Sequence, residues 1–547
     1  MRIFLLFSLI LVFLGFKPGI EISEHQYQLP VLKNKENNPI VRVKVVADDD
    51  NQTLTAVKFS TKGTTELKDI KSAKLYYYGA DSMPGKMENI EPRLFATVKN
   101  VDKNIVFSGN QKLNKGDNFF WLSYELEENA DLARFVDATL VAAEIDGKKF
   151  RSKTKSNDLK QRIGIAVRKH NQDKVHTSRI PGLATTNEGT LIAVFDARYE
   201  SGRDLQGHMD IGIHRSEDGG RSWEPIQIVM DMGEWGDLPQ KFNGVSDAGI
   251  LVDRNTGDIY IAGLWMHGLL DQDGNWIEGL TEDSDLWDHQ WRNRASQPGF
   301  DVKQTSQFLI VKSTDDGKTW SEPVNITEMG KKEEWWLWAP APGQGITLED
   351  GTLVFPTQGR DKNGQPFSNI TYSKDGGETW VSTNPAVNEG TTECMAVELT
   401  DGSVMLNMRA NSNRGDTTST NGRAIAVTKD LGETWTTHPT SHSALPEPVC
   451  MASIIRHEYK KGNSIQPLML FSNPDSKTQR NRLSVKVSDD DAMTWNSYPA
   501  LMLDEFNSRG YSCLTSVNNE TIGILYESSQ ADMVFQTMTI KELTNKN

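Results

Sequence analysis

The chain has 547 residues and a formal net charge of -15 at pH 7. This length exceeds what one hydrophobic core usually supports, so we expect two domains. The acidic balance argues against a nucleic-acid partner, because phosphate binding requires a basic surface. An anionic small substrate would need a local cluster of arginines.

Near the start of the chain, the basic residue Arg2 precedes an apolar run from Ile3 to Phe16. This run is long enough for the hydrophobic region of a signal peptide and too short to span a bilayer comfortably. We therefore predict a signal peptide over residues 1–20, export to the periplasm or the extracellular space, and no stable membrane span. An uncleaved N-terminal anchor is the alternative, because no small-x-small cleavage pattern follows the run.

Three cysteines, Cys394, Cys450 and Cys513, have no CxxC spacing, so we predict buried free thiols rather than a disulfide framework or a zinc site. The sequence has no HExxH, Walker, dinucleotide-binding or EF-hand pattern, so no metal or organic cofactor is expected. The acidic run Asp48 to Asp50 is more typical of a solvated turn than of a calcium site.

Seven short apolar-rich runs, separated by polar turns, lie between Val41 and Gly147. They read VRVKVVA, TLTAVKF, AKLYYYG, RLFATV, NIVFSG, NFFWLSYEL and TLVAAEI. Short strands at this spacing are typical of a β-sandwich, so we predict an N-terminal β-sandwich domain over residues 21–157. The polar and basic stretch RSKTKSNDLKQR, residues 151–162, predicts a linker.

A repeated octad divides the rest of the chain, residues 158–547. It reads SEDGGRSW at position 216, STDDGKTW at 313, SKDGGETW at 373, TKDLGETW at 428 and SDDDAMTW at 488. The later copies are 55 to 60 residues apart, and the runs between them are rich in β-branched and aromatic residues. That unit suits a four-stranded propeller blade, and the region holds about six of them. We therefore predict an all-β fold in which a six-bladed β-propeller follows the sandwich.

Each octad combines an Asp that can accept hydrogen bonds from its own turn, a Gly that permits a left-handed conformation and a Trp that packs. These are the parts of a stable hairpin turn, and a catalytic element would not need five copies. We expect the octads to form blade corners away from the substrate pocket. The longer first interval contains a Trp-rich insertion, about Trp265 to Thr305, which predicts a loop over one face.

The octads are similar to the Asp boxes, or BNR repeats, of the bacterial sialidase superfamily. The whole arrangement resembles the exo-α-sialidases, or neuraminidases, of gut Bacteroidetes, in which a β-domain precedes a six-bladed propeller. The resemblance covers nearly the whole mature chain. It implies that the N-terminal domain is a carbohydrate-binding or stabilising module.

In the family that this sequence resembles, three arginines bind the carboxylate of sialic acid. Arg179 in SRIPGL, Arg409 in MLNMRA and Arg480 in SKTQRNRLSV match these positions. Arginine cannot lose its proton at neutral pH and can pair with a carboxylate through two N–H groups. Arg482 is an alternative to Arg480, because residues two apart face the same side of a strand.

The resemblance also implies the catalytic residues. Asp204, in FDARYESGRD, matches the general acid and base, which requires a carboxyl group with a raised pKa. Tyr511 in SRGYSCL matches the nucleophile, and Glu393 in TTECMAVE matches the base that activates it. A neutral phenol suits this substrate, because the anomeric carbon bears a carboxylate that would repel an attacking Asp or Glu.

Three further positions match supporting residues of the family. Arg198 is expected to contact the substrate near its ring substituents, and Asp247 is expected near the N-acyl pocket. Glu527 matches a carboxylate that orients Arg179. Glu398 is an alternative to Glu393, although its separation from Arg409 fits the family pattern less well.

These features predict a secreted, retaining exo-α-sialidase that hydrolyses terminal α-linked sialic acid from glycans, glycoproteins or glycolipids through a covalent tyrosyl intermediate. One alternative is a trans-sialidase, including an intramolecular one that releases an anhydro product. A non-catalytic sialoglycan-binding propeller is a further alternative, and the intact acid, base and nucleophile positions argue against it. The EEWWLWAP run at Glu333 to Pro340 and the Trp-rich insertion could exclude water, bind an acceptor or stabilise the fold.

Overall fold

The computed structural model describes residues 19–81, 92–153, 159–205, 207–235, 240, 243–267, 296–302, 304–461 and 464–546. Across these ranges the chain is built of β-strands, with two four-residue helices, α1 (Thr327–Gly330) and α2 (Ile540–Leu543). The predicted all-β class is confirmed. The apolar run of the predicted signal peptide and most of the Trp-rich insertion lie outside the described residues. None of the helices in the described ranges has the length and apolar character to cross a bilayer.

Eleven strands lie before residue 160 in the described part of the chain: β1 (Glu21–His25), β2 (Val31–Leu32), β3 (Asn38–Ala47), β4 (Thr53–Ser60), β5 (Ile70–Tyr77), β6 (Arg93–Val98), β7 (Asn104–Lys112), β8 (Gly116–Leu126), β9 (Phe135–Val136), β10 (Thr139–Ile145) and β11 (Lys148–Arg151).

The strands that follow are β12 (Gln161–Arg168), β13 (Thr177–Thr185), β14 (Leu191–Arg198), β15 (Met209–Ser216), β16 (Gln227–Met230), β17 (Asn243–Val252), β18 (Ile259–His267), β19 (Gln307–Ser313), β20 (Val324–Asn325), β21 (Leu337–Pro340), β22 (Gly343–Gln344), β23 (Ile346–Thr347), β24 (Leu353–Arg360), β25 (Pro366–Ser373), β26 (Val381–Ser382), β27 (Thr391–Glu398), β28 (Val404–Ala410), β29 (Ala424–Thr428), β30 (Thr436–Thr437), β31 (Ser453–Lys461), β32 (Ser464–Pro474), β33 (Leu483–Ser488), β34 (Leu501–Asp504), β35 (Ser512–Asn518), β36 (Thr521–Tyr526) and β37 (Met533–Thr539).

The chain divides into two compact units. The first comprises residues up to 27 with 36–126 and 136–160, and the second comprises 28–35, 127–135 and 161–547. The linker prediction is wrong at Gln161 and Arg162, because both residues are buried and begin β12. The domain limits predicted from the sequence stay predictions.

The first unit contains two antiparallel sheets, ordered β1-β3-β8-β5-β6 and β11-β10-β4-β7. All seven apolar runs predicted as strands between residues 41 and 147 form strands here. Alternate side chains of these strands are buried, as in β3, where Val41, Val43 and Val45 are each 0% exposed. In the second sheet Phe59 and Phe107 meet edge to face with their ring centroids 5.9 Å apart.

In its described ranges the second unit contains five sheets. Their strand orders are β2-β12-β37-β36-β35, β13-β14-β15-β17-β18-β19-β20, β21-β24-β25-β26, β27-β28-β29-β30 and β31-β32-β33-β34. A single parallel pair, Met209 with Gly244, joins β15 to β17, and β12 pairs antiparallel with β37.

Apolar side chains from neighbouring strand groups pack together between the sheets of the second unit. Val194 and Ile250 share one buried cluster, and Val354 and Leu406 share another. Trp335 and Trp338, from the EEWWLWAP run, are buried in a cluster with Phe308 and Phe367. These two tryptophans therefore stabilise the fold.

Each octad forms the turn between the third and fourth strands of an antiparallel group, such as β15 and β16. In the first octad the Ser216 hydroxyl accepts the Gly220 N–H at 2.8 Å, and the Asp218 carboxylate accepts the Ser222 N–H and hydroxyl at 2.9 and 2.6 Å. The same three bonds recur in the other four octads. They lower the pKa of Asp315 and Asp375 to about 2, since the Thr hydroxyl and N–H stabilise each carboxylate.

The fifth residue of every octad has a positive φ, as the glycine pattern predicts. The residues are Gly220, Gly317, Gly377, Gly432 and Ala492, with φ values from 64° to 87°. Space is a second constraint, because a methyl group on Gly220 would lie 2.0 Å from Phe535 Cε1. Trp223 of the same octad meets Phe535 with ring centroids 5.3 Å apart. The octad therefore packs onto the strand β37 as well as closing its own turn.

Gly220→Ala is expected to destabilise the protein more than Gly219→Ala. Both residues have positive φ, 87° and 72°, which costs an alanine about 1 kcal/mol. A methyl group on Gly219 meets nothing closer than Val517 Cγ1 at 3.7 Å, whereas one on Gly220 overlaps Phe535 and adds about 1–3 kcal/mol. Urea unfolding of the two variants would measure the difference. Equal losses in the free energy of unfolding would contradict this packing role.

The strand register separates the octads from the other end of each sheet. Ser216, which begins the first octad, pairs with Leu191, whereas Arg198 pairs with Met209 seven residues along β14. At 3.3 Å per residue the two ends of β14 are roughly 23 Å apart. The corner of the first octad therefore lies far from Arg198.

Candidate active site

Three of the predicted site residues lie where a strand departs from regular pairing. Arg179 in β13, Asp247 in β17 and Glu393 in β27 each sit at a shift in register with the neighbouring strand. Asp247 also has a φ of 58°. Such bulges turn a side chain out of the regular alternation of a strand, so they place these polar groups where a regular strand would not.

Tyr511 lies at the centre of the site and is 5% exposed. Its hydroxyl donates a short hydrogen bond to Glu393 Oε1. Arg409 Nη1 lies 3.1 Å from the same hydroxyl and 2.5 Å from Glu393 Oε2. The predicted nucleophile, base and second arginine are therefore in direct contact.

Two further arginines lie against the Tyr511 ring. The guanidinium carbons of Arg179 and Arg480 are 5.4 and 5.5 Å from the ring centroid. The structure thus brings all three predicted arginines together around one tyrosine. Their charges form the local positive site that an acidic chain needs to bind an anion.

The three arginines are held by different partners. Arg179 Nε donates to Glu527 Oε1 at 2.6 Å, and Arg409 pairs with Glu393. Arg480 instead donates to two backbone carbonyls, those of Val449 and Arg509, both at 3.0 Å. Arg480 therefore brings a charge that no carboxylate of the described residues neutralises through a hydrogen bond.

Arg480 lies in the loop between β32 and β33, not in a strand. Arg480 and Arg482 therefore do not lie on one face of a strand, contrary to the prediction. Arg480 is the arginine that contacts Tyr511. Glu398, the alternative to Glu393, pairs with Val404 at the end of β27 away from Arg409.

The Tyr511 phenol is a weak acid in this environment. Burial raises its pKa well above the ordinary value, and the Glu393 carboxylate adds to the rise, while Arg409 and Arg480 oppose it. The phenol is therefore neutral at physiological pH. It can become a nucleophile only as Glu393 takes its proton.

Glu527 orders both sides of the site. Its Oε1 accepts Arg179 Nε and the Ile180 N–H, and its Oε2 accepts the Tyr511 N–H at 3.0 Å. Burial would raise its pKa, but the charge of Arg179 and these hydrogen bonds lower it below the ordinary value. Glu527 is therefore an ionised anchor that ties Arg179 to the backbone of Tyr511.

Glu527→Gln is expected to lower kcat/KM about 10- to 100-fold, mainly through a higher KM. Both Glu527 oxygens accept hydrogen bonds from N–H groups, so the NH2 group of the new glutamine would face a donor at either position. A buried donor without an acceptor costs about 1–3 kcal/mol. Steady-state kinetics on 3'-sialyllactose would measure the loss. Glu398→Gln is the control, since Glu398 lies at the far end of β27. An unchanged KM for Glu527→Gln would show that Arg179 does not depend on this carboxylate.

Asp204 lies on an exposed loop, and its carboxylate contacts two arginines. Arg198 Nη1 is 2.5 Å from Asp204 Oδ1, and Arg179 Nη1 is 3.4 Å from it. Burial of the carboxylate would raise its pKa, but the charges of Arg198 and Arg179 outweigh burial and lower it. The expected raised pKa is therefore wrong for this arrangement, because the arginines stabilise the ionised form.

Arg198 is 1% exposed and contacts protein groups. It donates to the Gly202 carbonyl at 3.2 Å, to Asp204, and to Asp196 Oδ2 at 2.8 Å. Its contact with a sugar stays a prediction. Asp196 was not predicted as a site residue. Its position two residues before Arg198 places both side chains on the same face of β14, which was the available signal.

Asp247 is buried beside the same group of charges. Its Oδ2 accepts Gln358 Nε2 at 3.3 Å. Burial raises its pKa well above the ordinary value, and the nearby carboxylates of Glu393, Asp196 and Asp204 add to the rise. The protonated form of Asp247, which can donate as well as accept hydrogen bonds, is therefore favoured relative to an ordinary aspartate.

All three cysteines are buried and free, as predicted. One group in the described residues could hold a metal ion, with ligand atoms of His208, Asp210 and Asp231 within 4.8 Å of one another. The Gln240 amide nitrogen lies 3.0 Å from His208 Nε2 and 3.3 Å from Asp231 Oδ1. These ligand atoms therefore already have protein hydrogen-bond partners.

Comparisons with known proteins identify the family of this chain. A family model described as a BNR repeat-like domain matches residues 180–527, and one described as the N-terminal domain of BNR-repeat neuraminidase matches residues 19–149. A sialidase of Bacteroides fragilis is 39% identical over 565 residues, which cover 98% of this chain and 99% of the relative. The chain belongs to the sialidase family. The family predicted from the octads is thus confirmed.

Other relatives and structures match this sialidase over much of its length. A sialidase of Paraclostridium sordellii is 29% identical over 70% of this chain and 88% of its own. A solved structure described as a Hadza microbial sialidase has a TM-score of 0.85 and 35% identity, covering 95% of this sialidase and 99% of that chain. The intramolecular trans-sialidase from Ruminococcus gnavus covers 70% of this chain and 99% of its own, with a TM-score of 0.54 and 18% identity, and shares the fold. This sialidase is a glycoside hydrolase of the exo-α-sialidase type.

Proposed function

We propose that this sialidase removes terminal α-linked sialic acid from glycans with retention of configuration, through a covalent intermediate on Tyr511. The contact of the Tyr511 hydroxyl with Glu393, inside a ring of three arginines, carries the proposal. A general base that takes the proton of a buried phenol generates a nucleophile without placing a permanent negative charge on the attacking oxygen beside the substrate carboxylate.

Substrate binding begins at the arginines. Arg179, Arg409 and Arg480 bind the carboxylate of sialic acid, which is ionised at neutral pH, through charge-assisted hydrogen bonds. Arg480 contributes most to the free charge, since its present partners are carbonyl oxygens. Asp247 and its partner Gln358 lie beside this site and bind the N-acyl side of the sugar.

In the first chemical step Tyr511 Oη attacks the anomeric carbon while Glu393 takes the phenol proton. The bond from the anomeric carbon to the glycosidic oxygen breaks, and protonated Asp204 gives its proton to that oxygen. Arg409, 3.1 Å from the phenol oxygen, stabilises the charge that develops there.

In the second step the Asp204 carboxylate takes a proton from water, and the oxygen of that water attacks the anomeric carbon. The bond to Tyr511 Oη breaks, Glu393 returns its proton to the phenol, and free sialic acid leaves. Two displacements at one carbon retain its configuration. Arg198 and Asp196 position Asp204 in both steps.

The stereochemistry of the first product tests this mechanism. Proton NMR during cleavage of 3'-sialyllactose should show the α anomer of sialic acid first, followed by mutarotation. Early accumulation of the β anomer would exclude the double displacement. The same spectra distinguish hydrolysis from the trans-sialidase alternatives, which would give transferred or anhydro sialic acid instead.

We also propose that the second unit is a six-bladed β-propeller and the first a β-sandwich. Six antiparallel strand groups support the propeller: β13–β16, β17–β20, β21 with β23–β26, β27–β30, β31–β34, and β35–β37 with β12. The two sheets of the first unit support the sandwich. Export to the periplasm or beyond is proposed from the apolar run after Arg2.

A further inference from the structure

Arg509 lies between the loop of Asp204 and the tyrosine. It precedes Tyr511 by two residues, and its Nη1 donates to the Gly202 carbonyl at 3.1 Å. A methyl group on Gly202 would lie 2.6 Å from Arg509 Nη2 and 3.0 Å from Nη1. The guanidinium therefore packs directly against the α-carbon of Gly202, two residues before Asp204.

Electrostatics alone does not favour this position for Arg509. Burial lowers its pKa, and the positive charges of Arg179 and Arg198 lower it further, while the carboxylates of Glu527 and Asp532 only partly oppose the fall. Within the described residues its side chain makes one hydrogen bond, to Gly202, and no ion pair. A buried guanidinium that makes one carbonyl hydrogen bond and no ion pair indicates a positional role rather than charge neutralisation.

The backbone of Arg509 belongs to the same network. Its carbonyl accepts Arg480 Nη1 at 3.0 Å. The Gly202 carbonyl that Arg509 binds also accepts Arg198 Nη1 at 3.2 Å. One residue thus connects an arginine of the carboxylate site, the segment entering Tyr511 and the loop that carries Asp204.

We propose that Arg509 is a positioning residue that holds residues 199–205, which we call the acid loop, so that Asp204 stays within reach of the glycosidic oxygen. The inference rests on the proposed role of Asp204 as the general acid. Proton transfer requires a hydrogen-bond distance between acid and leaving oxygen, and a displacement of about 1 Å can cost about 100-fold in rate. Loosening the acid loop should therefore impair protonation of the leaving group more than attack by Tyr511.

The test uses two substrates that differ in their need for that proton. 3'-Sialyllactose has a poor leaving group, and a 4-nitrophenyl sialoside has a good one. For Arg509→Gln we expect kcat/KM to fall about 10- to 100-fold on sialyllactose and less than about threefold on the aryl sialoside. A residue with a merely structural role would lower both activities by the same factor.

Gly202→Ala tests the same contact from the other side. Its φ is not in the left-handed region, and the added methyl group meets the end of a flexible side chain, so the thermal unfolding midpoint should stay unchanged. The variant should reproduce the leaving-group dependence of Arg509→Gln. In the double variant the two losses should not multiply, because both remove one contact.

Arg254→Gln is the matched control. Arg254 also has a pKa lowered by burial and donates to one backbone carbonyl, that of Thr185, at 3.0 Å, with a longer contact of 3.5 Å to Asn187 Oδ1. It lies beyond Val252, in the turn between β17 and β18. Its replacement should leave both activities unchanged.

Two results would overturn the proposal: equal losses on both substrates, or no loss on either. Asp204→Asn, measured in parallel, separates this failure from failure of the proposed function. If Asp204→Asn shows the leaving-group dependence and Arg509→Gln does not, the positioning role alone is wrong. If Asp204→Asn shows no such dependence, the assignment of the general acid is wrong.

Discussion

Tyr511→Phe should lower kcat on 3'-sialyllactose by about 1000-fold or more, because the nucleophile is lost while the shape of the site is kept. The phenol oxygen is the only atom removed. Its partners Glu393 and Arg409 contact each other at 2.5 Å, so they remain paired in the variant. The arginines that receive the carboxylate are also retained.

Tyr526→Phe provides the control for this substitution. Tyr526 is fully buried, its hydroxyl donates to Gln536 Oε1 at 3.0 Å, and its ring packs in a different apolar cluster from that of Tyr511. Its loss should cost about 1 kcal/mol of stability and leave kcat unchanged.

Binding should survive in Tyr511→Phe. Calorimetric titration with free sialic acid should give a dissociation constant within about threefold of the parent, since Arg179 and Arg480 lie over the ring rather than on the hydroxyl. Hydrolysis near the parent rate would remove Tyr511 from its role. Loss of binding together with hydrolysis would mean that the substitution disturbs the carboxylate site.

Asp204→Asn is the second large effect, with a loss of about 100- to 10,000-fold in kcat/KM on 3'-sialyllactose. The amide cannot donate a proton to the glycosidic oxygen or take one from water. On a 4-nitrophenyl sialoside the first step needs no proton, so kcat/KM on this substrate should fall much less. Because the second step becomes slow, a burst of nitrophenol should precede steady turnover. Equal losses on both substrates, without a burst, would contradict the assignment.

The lowered pKa of Asp204 predicts that the pH profiles of kcat and kcat/KM differ on their alkaline side. The acid is active when protonated, so activity falls as pH rises through its pKa. In the free enzyme Arg198 and Arg179 outweigh burial and hold that pKa below its ordinary value. A bound carboxylate offsets the positive charge and raises it. The alkaline limb of kcat should therefore lie at higher pH than that of kcat/KM, and coincident limbs would contradict this.

The sequence predicted the parts that depend on local chemistry. The octads required an Asp, a left-handed residue and a Trp, and all five form the predicted turn. The seven predicted strands of the first unit followed from short apolar-rich runs separated by polar turns. The choice of Arg480 over Arg482 could not follow from such a rule, because a loop and not a strand sets the direction of Arg480.

Long-range electrostatics was not readable from the sequence. The pKa of Asp204 depends on two arginines from β13 and β14 that meet only in the fold. Asp247 has a φ of 58° and lies in a bulge of β17, which the residue types around it do not predict. Arg509 lies in an ordinary SRG segment, and only its contact with Gly202 points to the positioning role.

The pairing of β12 with β37 has a consequence for biosynthesis. β12 is translated before the octads, and its partner β37 is translated after all five of them. The edge of β12 that pairs with β37 therefore stays unpaired until nearly the whole second unit has been synthesised. Tyr511 and Glu527 flank β35 and β36, the neighbours of β37 in that sheet. Long-range strand pairing is the slow part of folding. The nucleophile therefore reaches its arginines in the last stage of assembly, and a nascent chain without these strands binds and cleaves nothing.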